Sequence, residues 1–115
     1  MTEATPTGPD RRVHERKKFR STAQLLLLGR KFDVRTLDIS VSGVGIICSA
    51  NPVAKTPCTI RLSLPMKPSG LRMLELQAMV VHSVFSSAND GFSVGLLFVA
   101  PSAEATDLIS GYMRR

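Results

Sequence analysis

Apolar residues in this chain recur in short runs with a period of two. Most runs are closed by glycine, proline or an Asn/Asp-Gly turn before they are long enough to make a helix of ordinary length. Thr59 to Leu64 shows the pattern plainly: Ile60, Leu62 and Leu64 alternate with Thr59, Arg61 and Ser63, so one face meets a core and the other meets water. The same reading gives strands from Phe19 to Leu28 and from Phe32 to Thr36, separated by a turn at Gly29-Arg30-Lys31. Val44 to Cys48, after a break at Ser40 to Gly43, is a further strand of β-branched character. Arg72 to Phe85 contains helix formers, but its alternation of Leu74, Leu76, Ala78 and Val80 and its ending Val80-Val81-His82-Ser83-Val84-Phe85 favour a strand. Asn89-Asp90-Gly91 then supplies hairpin chemistry before Phe92 to Val99. Beyond Pro101 the period changes. Ser102 is placed to cap a helix with Glu104 in its first turn, and Leu108, Ile109, Tyr112 and Met113 share one face. Six strands and one C-terminal helix predict an all-β domain, either a small antiparallel barrel or a sandwich, with the helix plugging or flanking it.

A chain of 115 residues with 43% apolar and 21% charged residues has room and material for one core. Residues 1–10, MTEATPTGPD, offer little to bury and read as a disordered tail, leaving 11–115 as the folded unit. They also lack the charged and apolar stretches of a secretory leader, and no apolar run approaches the roughly 18 to 20 residues of a membrane span. A cytoplasmic protein is expected. Cys48 and Cys58 have no neighbouring Cys or His at metal-ligand spacing, so they are read as free thiols and no metal is expected.

The net charge of +6 is concentrated at one end. Residues 1–35 carry nine basic against four acidic side chains, and the remaining eighty carry six against five. An anionic partner for the N-terminal segment follows, whether nucleotide, nucleic acid, acidic protein or lipid surface. Catalysis is not expected: there is no glycine-rich phosphate loop, no G-x-S-x-G and no H-E-x-x-H, and of two histidines His14 lies among arginines while His82 reads as a satisfied core or edge residue.

Two short motifs remain. Arg11-Arg12-Val13-His14-Glu15-Arg16 places three guanidinium forks where they can grip phosphate or address the O6 and N7 edge of guanine, though the same run could be a solvated basic face. Asp38-Ile39-Ser40-Val41-Ser42-Gly43 sits at a strand junction. Its carboxylate can accept the N1 and N2 donors of guanine, its hydroxyl can serve base or phosphate, and its glycine permits close backbone approach; ordinary turn chemistry is the alternative.

Taken together, the two motifs resemble the signature of the PilZ family of bacterial cyclic di-GMP receptors, R-x-x-x-R followed some twenty residues later by [D/N]-x-S-x-x-G. Arg12-Val-His-Glu-Arg16, preceded by Arg11, supplies the first element, and Asp38-Ile-Ser40-Val-Ser-Gly43 supplies the second. A second register, Arg16 to Arg20, lacks a preceding arginine and leaves too short a link to Asp38. Ala78 to His82 and Ser93 to Phe98 look like the family's last two strands, so the resemblance covers roughly residues 11 to 113. It implies a six-stranded antiparallel barrel with a flexible basic N-terminal arm and a C-terminal helix. It also implies a cyclic di-GMP site made of Arg11, Arg12, Arg16, Asp38, Ser40 and Gly43, no cofactor, and signalling to an effector protein when the ligand orders the arm. Two alternatives stand beside this: a degenerate member acting only through protein contacts, and a basic barrel binding single-stranded nucleic acid. The second is disfavoured by 5% aromatic content and the lack of tryptophan.

Overall fold

The computed structural model describes residues 15–115; the tail, Arg11 and Arg12 fall outside them. Seven strands and one helix follow in chain order: β1 (Lys17–Lys18), β2 (Thr22–Leu27), β3 (Arg30–Ile39), β4 (Gly43–Cys48), β5 (Pro57–Pro65), β6 (Leu71–Ser86), β7 (Gly91–Phe98) and α1 (Ala103–Met113). The strands run antiparallel in the order β3-β2-β5-β6-β7-β4, and pairing of β4 with β3 closes the ring. Closure removes the sheet edges that an open arrangement of the same strands would leave. Of the barrel and sandwich that the alternation left open this is the barrel, the six-stranded one implied by the resemblance. The additional strand is the two-residue β1, which joins β3 opposite Asp38 and Ile39.

The alternating residues do what their period requires. Leu25, Val34, Ile46, Ile60, Leu62, Leu64, Val80 and Val94 all point inward and are buried, and Ile109 from α1 joins them. Full burial of side chains of this size contributes about 1.5 to 3 kcal/mol each, which makes the interior the main source of stability. Ser102 caps α1 as expected, its hydroxyl accepting from the amide of Ala105 at 3.1 Å. The first hairpin is tighter than the sequence suggested. Leu27 pairs with Arg30, so the turn is Leu28-Gly29 alone, with φ of 52° and 77°. Two left-handed residues are the mark of the type I′ turn, whose twist matches that of the strands it joins. At the last hairpin one 3₁₀ turn, Ser87–Asn89, precedes Asp90 at φ 55°.

From Lys17 onward the N-terminal segment is tied to the barrel. Phe19 is buried and meets Tyr112 of α1 edge to face, with ring centroids 5.6 Å apart. The buried hydroxyl of Thr36 donates to the Phe19 carbonyl at 2.7 Å and accepts from the Ser21 amide at 2.8 Å. Lys17 Nζ donates to the Tyr112 carbonyl at 3.0 Å, where a cation suits the negative end of a helix. The expected flexible arm, apart from Glu15 and Arg16, lies outside the described residues.

Both cysteines are free and buried. Burial disfavours the thiolate of Cys58 and pushes its pKa up to about 11. Native protein at pH 8 should react with a thiol-specific disulfide reagent far more slowly at Cys58 than urea-unfolded protein does. Because the shift is upward, the neutral thiol favours the folded state at pH values below the unfolded pKa of about 8.5. That contribution is lost as pH rises through about 11. Equal modification rates in native and unfolded protein would show that Cys58 is not sequestered.

Candidate functional site

One row of directly opposed residues crosses the outer wall of the barrel: Lys18 on β1, Asp38 on β3, Gly45 on β4, Gly95 on β7 and His82 on β6. Two irregularities in pairing put its ends there. In β3, Thr36 pairs with Ile46 and Asp38 with Gly45, so Leu37 is an extra residue. In β6, Val80 pairs with Leu96 and His82 with Gly95, so Val81 is extra. Strict alternation would have turned both Asp38 and His82 into the core. Each bulge shifts the period by one and sends the polar side chain out, which is what bulges beside functional surfaces do.

Between these ends the row is glycine and contributes no side chains of its own. A Cβ on Gly45 would stand 2.7 Å from Asp38 Oδ1, and one on Gly95 would stand 2.4 Å from His82 Nε2. The carboxylate and the imidazole therefore lean inward over a bare strip of backbone. Three inter-strand spacings separate Asp38 from His82, roughly 14 Å along the wall. The resulting concavity encloses about 820 Å³ and is bordered by Arg16 and Asp38 on one flank and by Val81, His82 and Leu97 on the other. That is within the size range of small-molecule sites.

Arg16 closes the cationic flank. Its Nε and Nη2 donate to Asp38 Oδ1 at 3.0 and 2.6 Å. Both side chains remain between a third and a half exposed, so the pair adds at most about 1 kcal/mol to stability and can exchange partners. Beneath it Ser40 is fully buried. Its hydroxyl accepts from the amides of Ser42 and Gly43, each at 3.2 Å, and lies 3.0 Å from the Ser42 hydroxyl, while its own amide donates to the Gly43 carbonyl at 2.8 Å. Ser40 thus builds the turn that joins β3 to β4. Gly43 sits where β4 presses on β7: a Cβ there would meet the Leu96 carbonyl oxygen at 2.2 Å.

Of the residues singled out from the sequence, Arg16 and Asp38 come together on the open wall, Gly43 borders it, Ser40 supports it from within, and Arg11 and Arg12 lie outside the described residues. His82, expected as a core or edge residue, is exposed and lines the concavity. Gly45 and Gly95 were not singled out, although glycine inside a strand pattern is a recognised signal of close approach by a ligand or backbone. A second concavity of about 700 Å³ spans β2, β3 and β5, but there Arg35 and Arg61 are accompanied by Asp33 and Asp90 and no motif residue takes part.

The chain is thus a small closed β-barrel module with an arginine–carboxylate pair at the rim of a glycine-lined concavity. The PilZ domain family model matches residues 10–115, and the chain belongs to that family. Among solved structures, the Bacillus subtilis inhibitor of motility MotI/DgrA superposes with a TM-score of 0.79 at 16% identity, over 93% of this chain and 52% of that one. The Borreliella burgdorferi PlzA protein in complex with c-di-GMP gives 0.67 at 18%, over 90% and 41%. The PilZ domain of YcgR from Escherichia coli, with c-di-GMP, gives 0.65 at 14%, over 91% and 93%. The chain thus spans about half of MotI and less of PlzA. No curated protein matches the sequence. Among the described residues no helix is long and apolar enough to cross a membrane.

Proposed function

We propose that this chain is a cyclic di-GMP receptor and adaptor, not an enzyme, acting in the cytoplasm through residues 11–115. The observation that carries the reading is the pairing of Arg16 with Asp38 at the end of the glycine strip, with His82 at the other. A flat purine needs bare backbone to lie against, a carboxylate to accept N1 and N2, and guanidinium groups for the phosphates. Arg16, Arg11 and Arg12 take the phosphates and guanine edges, Asp38 takes the base, and Ser40 and Gly43 hold the β3–β4 junction in register. His82 offers an imidazole face to the opposite side of the ligand.

Arm closure is the switch in this reading. Ordering one residue costs about 1 to 2 kcal/mol, whereas micromolar binding is worth about −8.2 kcal/mol in total. Fixing residues 11 to 15 over the ligand thus consumes a large part of the interaction energy, and the docked segment becomes a new surface for an effector protein.

Calorimetry and amide NMR with cyclic di-GMP, and with linear guanine dinucleotide for comparison, test the proposal. Expected are heat with the cyclic ligand, perturbed amides at Arg16, Asp38, Gly45, His82 and Gly95, and slowed amide exchange at residues 11 to 15. No heat, or perturbations confined to the β2–β5 wall, would refute the site.

A further inference from the structure

The two most exposed large apolar side chains in the described chain are Leu28, 79% accessible, and Val53, 75% accessible. They come from different loops, the β2–β3 turn and the β4–β5 connection, yet border one cleft of about 240 Å³ floored by Leu27, Phe32, Ala50 and Pro52. Leu28 is anomalous twice. It faces solvent, and it occupies the first central position of a type I′ turn at φ 52°, where asparagine, aspartate or glycine avoids the strain that a leucine carries. A residue that opposes both solvation and backbone preference at an exposed tip marks a surface with a use.

The charge at this tip is basic. Arg30, Lys31 and Lys55 are all exposed, neither 27–31 nor 50–56 contains an acidic residue, and the first acid beyond is Asp33, two residues along the outer face of β3. The Arg30 guanidinium lies over the Phe32 ring at 5.7 Å, which holds it beside the cleft. Hence the partner is anionic at its surface and apolar just beneath. An acidic protein groove and an anionic bilayer both meet the first condition. The second favours the bilayer: leucine and valine are under-represented among the residues that dominate protein interfaces, while protruding aliphatic tips ringed by Lys and Arg suit the boundary between lipid headgroups and acyl chains.

We propose that the Leu28/Val53 end of the barrel is a peripheral docking surface for anionic lipid membranes. It shares no lining residue with the Arg16–Asp38 wall, so cyclic di-GMP and membrane can be held at once, and the inference stands apart from the assignment of the nucleotide. The basic segment before Arg16 would also be drawn to anionic lipid, so the test must separate charge from apolar contact.

Co-sedimentation of the full chain is compared on phosphatidylcholine vesicles and on vesicles with about a quarter phosphatidylserine, at about 0.15 M salt. The wild type should pellet only with the anionic vesicles. Leu28→Asn with Val53→Ser, which leaves every charge in place, should bind them about tenfold more weakly. Leu28→Asn should raise the melting temperature, because asparagine suits the left-handed turn position, and with Val53 exposed the double variant should melt no lower than the wild type, so its loss of lipid binding cannot be a folding defect. Both variants should titrate with cyclic di-GMP as the wild type does. Wild type that stays in the supernatant, or a double variant that pellets equally well, overturns the proposal. So does polyglutamate capture that depends on Leu28 and Val53 without vesicle binding, which would assign the tip to an acidic protein.

Discussion

Asp38→Ala is expected to abolish measurable binding of cyclic di-GMP while leaving the circular dichroism spectrum and melting temperature close to wild type. The two halves of this result have separate causes. Asp38 and Arg16 are partly exposed partners, and such pairs contribute about 0 to 1 kcal/mol. The segment around them is held instead by buried Phe19, by the Thr36 hydroxyl and by the Lys17 contact with α1. Binding is another matter. Hydrogen bonds to a charged group are worth about 1.5 to 3 kcal/mol each, so loss of two from guanine N1 and N2 weakens the complex by at least about a hundredfold. Arg16→Ala should act through the phosphates with similar severity. Arg20 borders a different, smaller hollow with Arg35 and Asn89, and Arg20→Ala should stay within about threefold of wild type. Affinity of Asp38→Ala within tenfold of wild type would move the ligand off this wall.

Much of this architecture was legible in the sequence because alternation and turn chemistry are local. Ile60, Leu62 and Leu64 declare their strand without help from elsewhere, and Ser102 declares its helix. The bulges are not local. Phe32, Val34 and Thr36 face inward, and nothing in Thr36-Leu37-Asp38 signals that the next inward residue is Ile39 rather than Asp38. That depends on β4 having Gly45 opposite, with space above it for a carboxylate. The same reasoning explains His82. Set in an apolar strand it looks like a core residue, and only the offset at Val81 against β7 places its ring over Gly95. Ser40 lies at the meeting of two readings of the motif, ligand contact and turn chemistry, and its hydroxyl accepts from the amides of its own turn. The interleaving of β1 with β3 was also invisible, since two lysines carry no apolar period.

Gly43→Ala and Gly95→Ala should separate support from contact among these residues. At Gly43 the added methyl meets the Leu96 carbonyl oxygen at 2.2 Å. Neither atom belongs to a side chain that can rotate away, and β4 pairs with β7 along its whole length, so relief requires the two strands to part. Overpacking against side chains costs about 1 to 3 kcal/mol; against paired backbone the cost should reach about 3 kcal/mol or more, lowering the melting temperature by over about 10 °C. At Gly95 the added methyl meets the His82 ring, the end of a side chain on an exposed face, which swings aside at a cost of about 1 kcal/mol. Stability should survive there, but the strip would gain a side chain of its own and the imidazole would be pushed from its place over it, so cyclic di-GMP affinity should fall about tenfold or more. Gly43→Ala would then lose binding only in proportion to its unfolded fraction, and Gly95→Ala would lose binding while folded. A Gly43→Ala protein melting within about 2 °C of wild type would disprove the tight β4–β7 approach. Unchanged affinity in Gly95→Ala would mean that ligand binding depends neither on the His82 ring held over this strip nor on a base packed there in its place, because no planar ring in van der Waals contact with that backbone leaves room for the methyl.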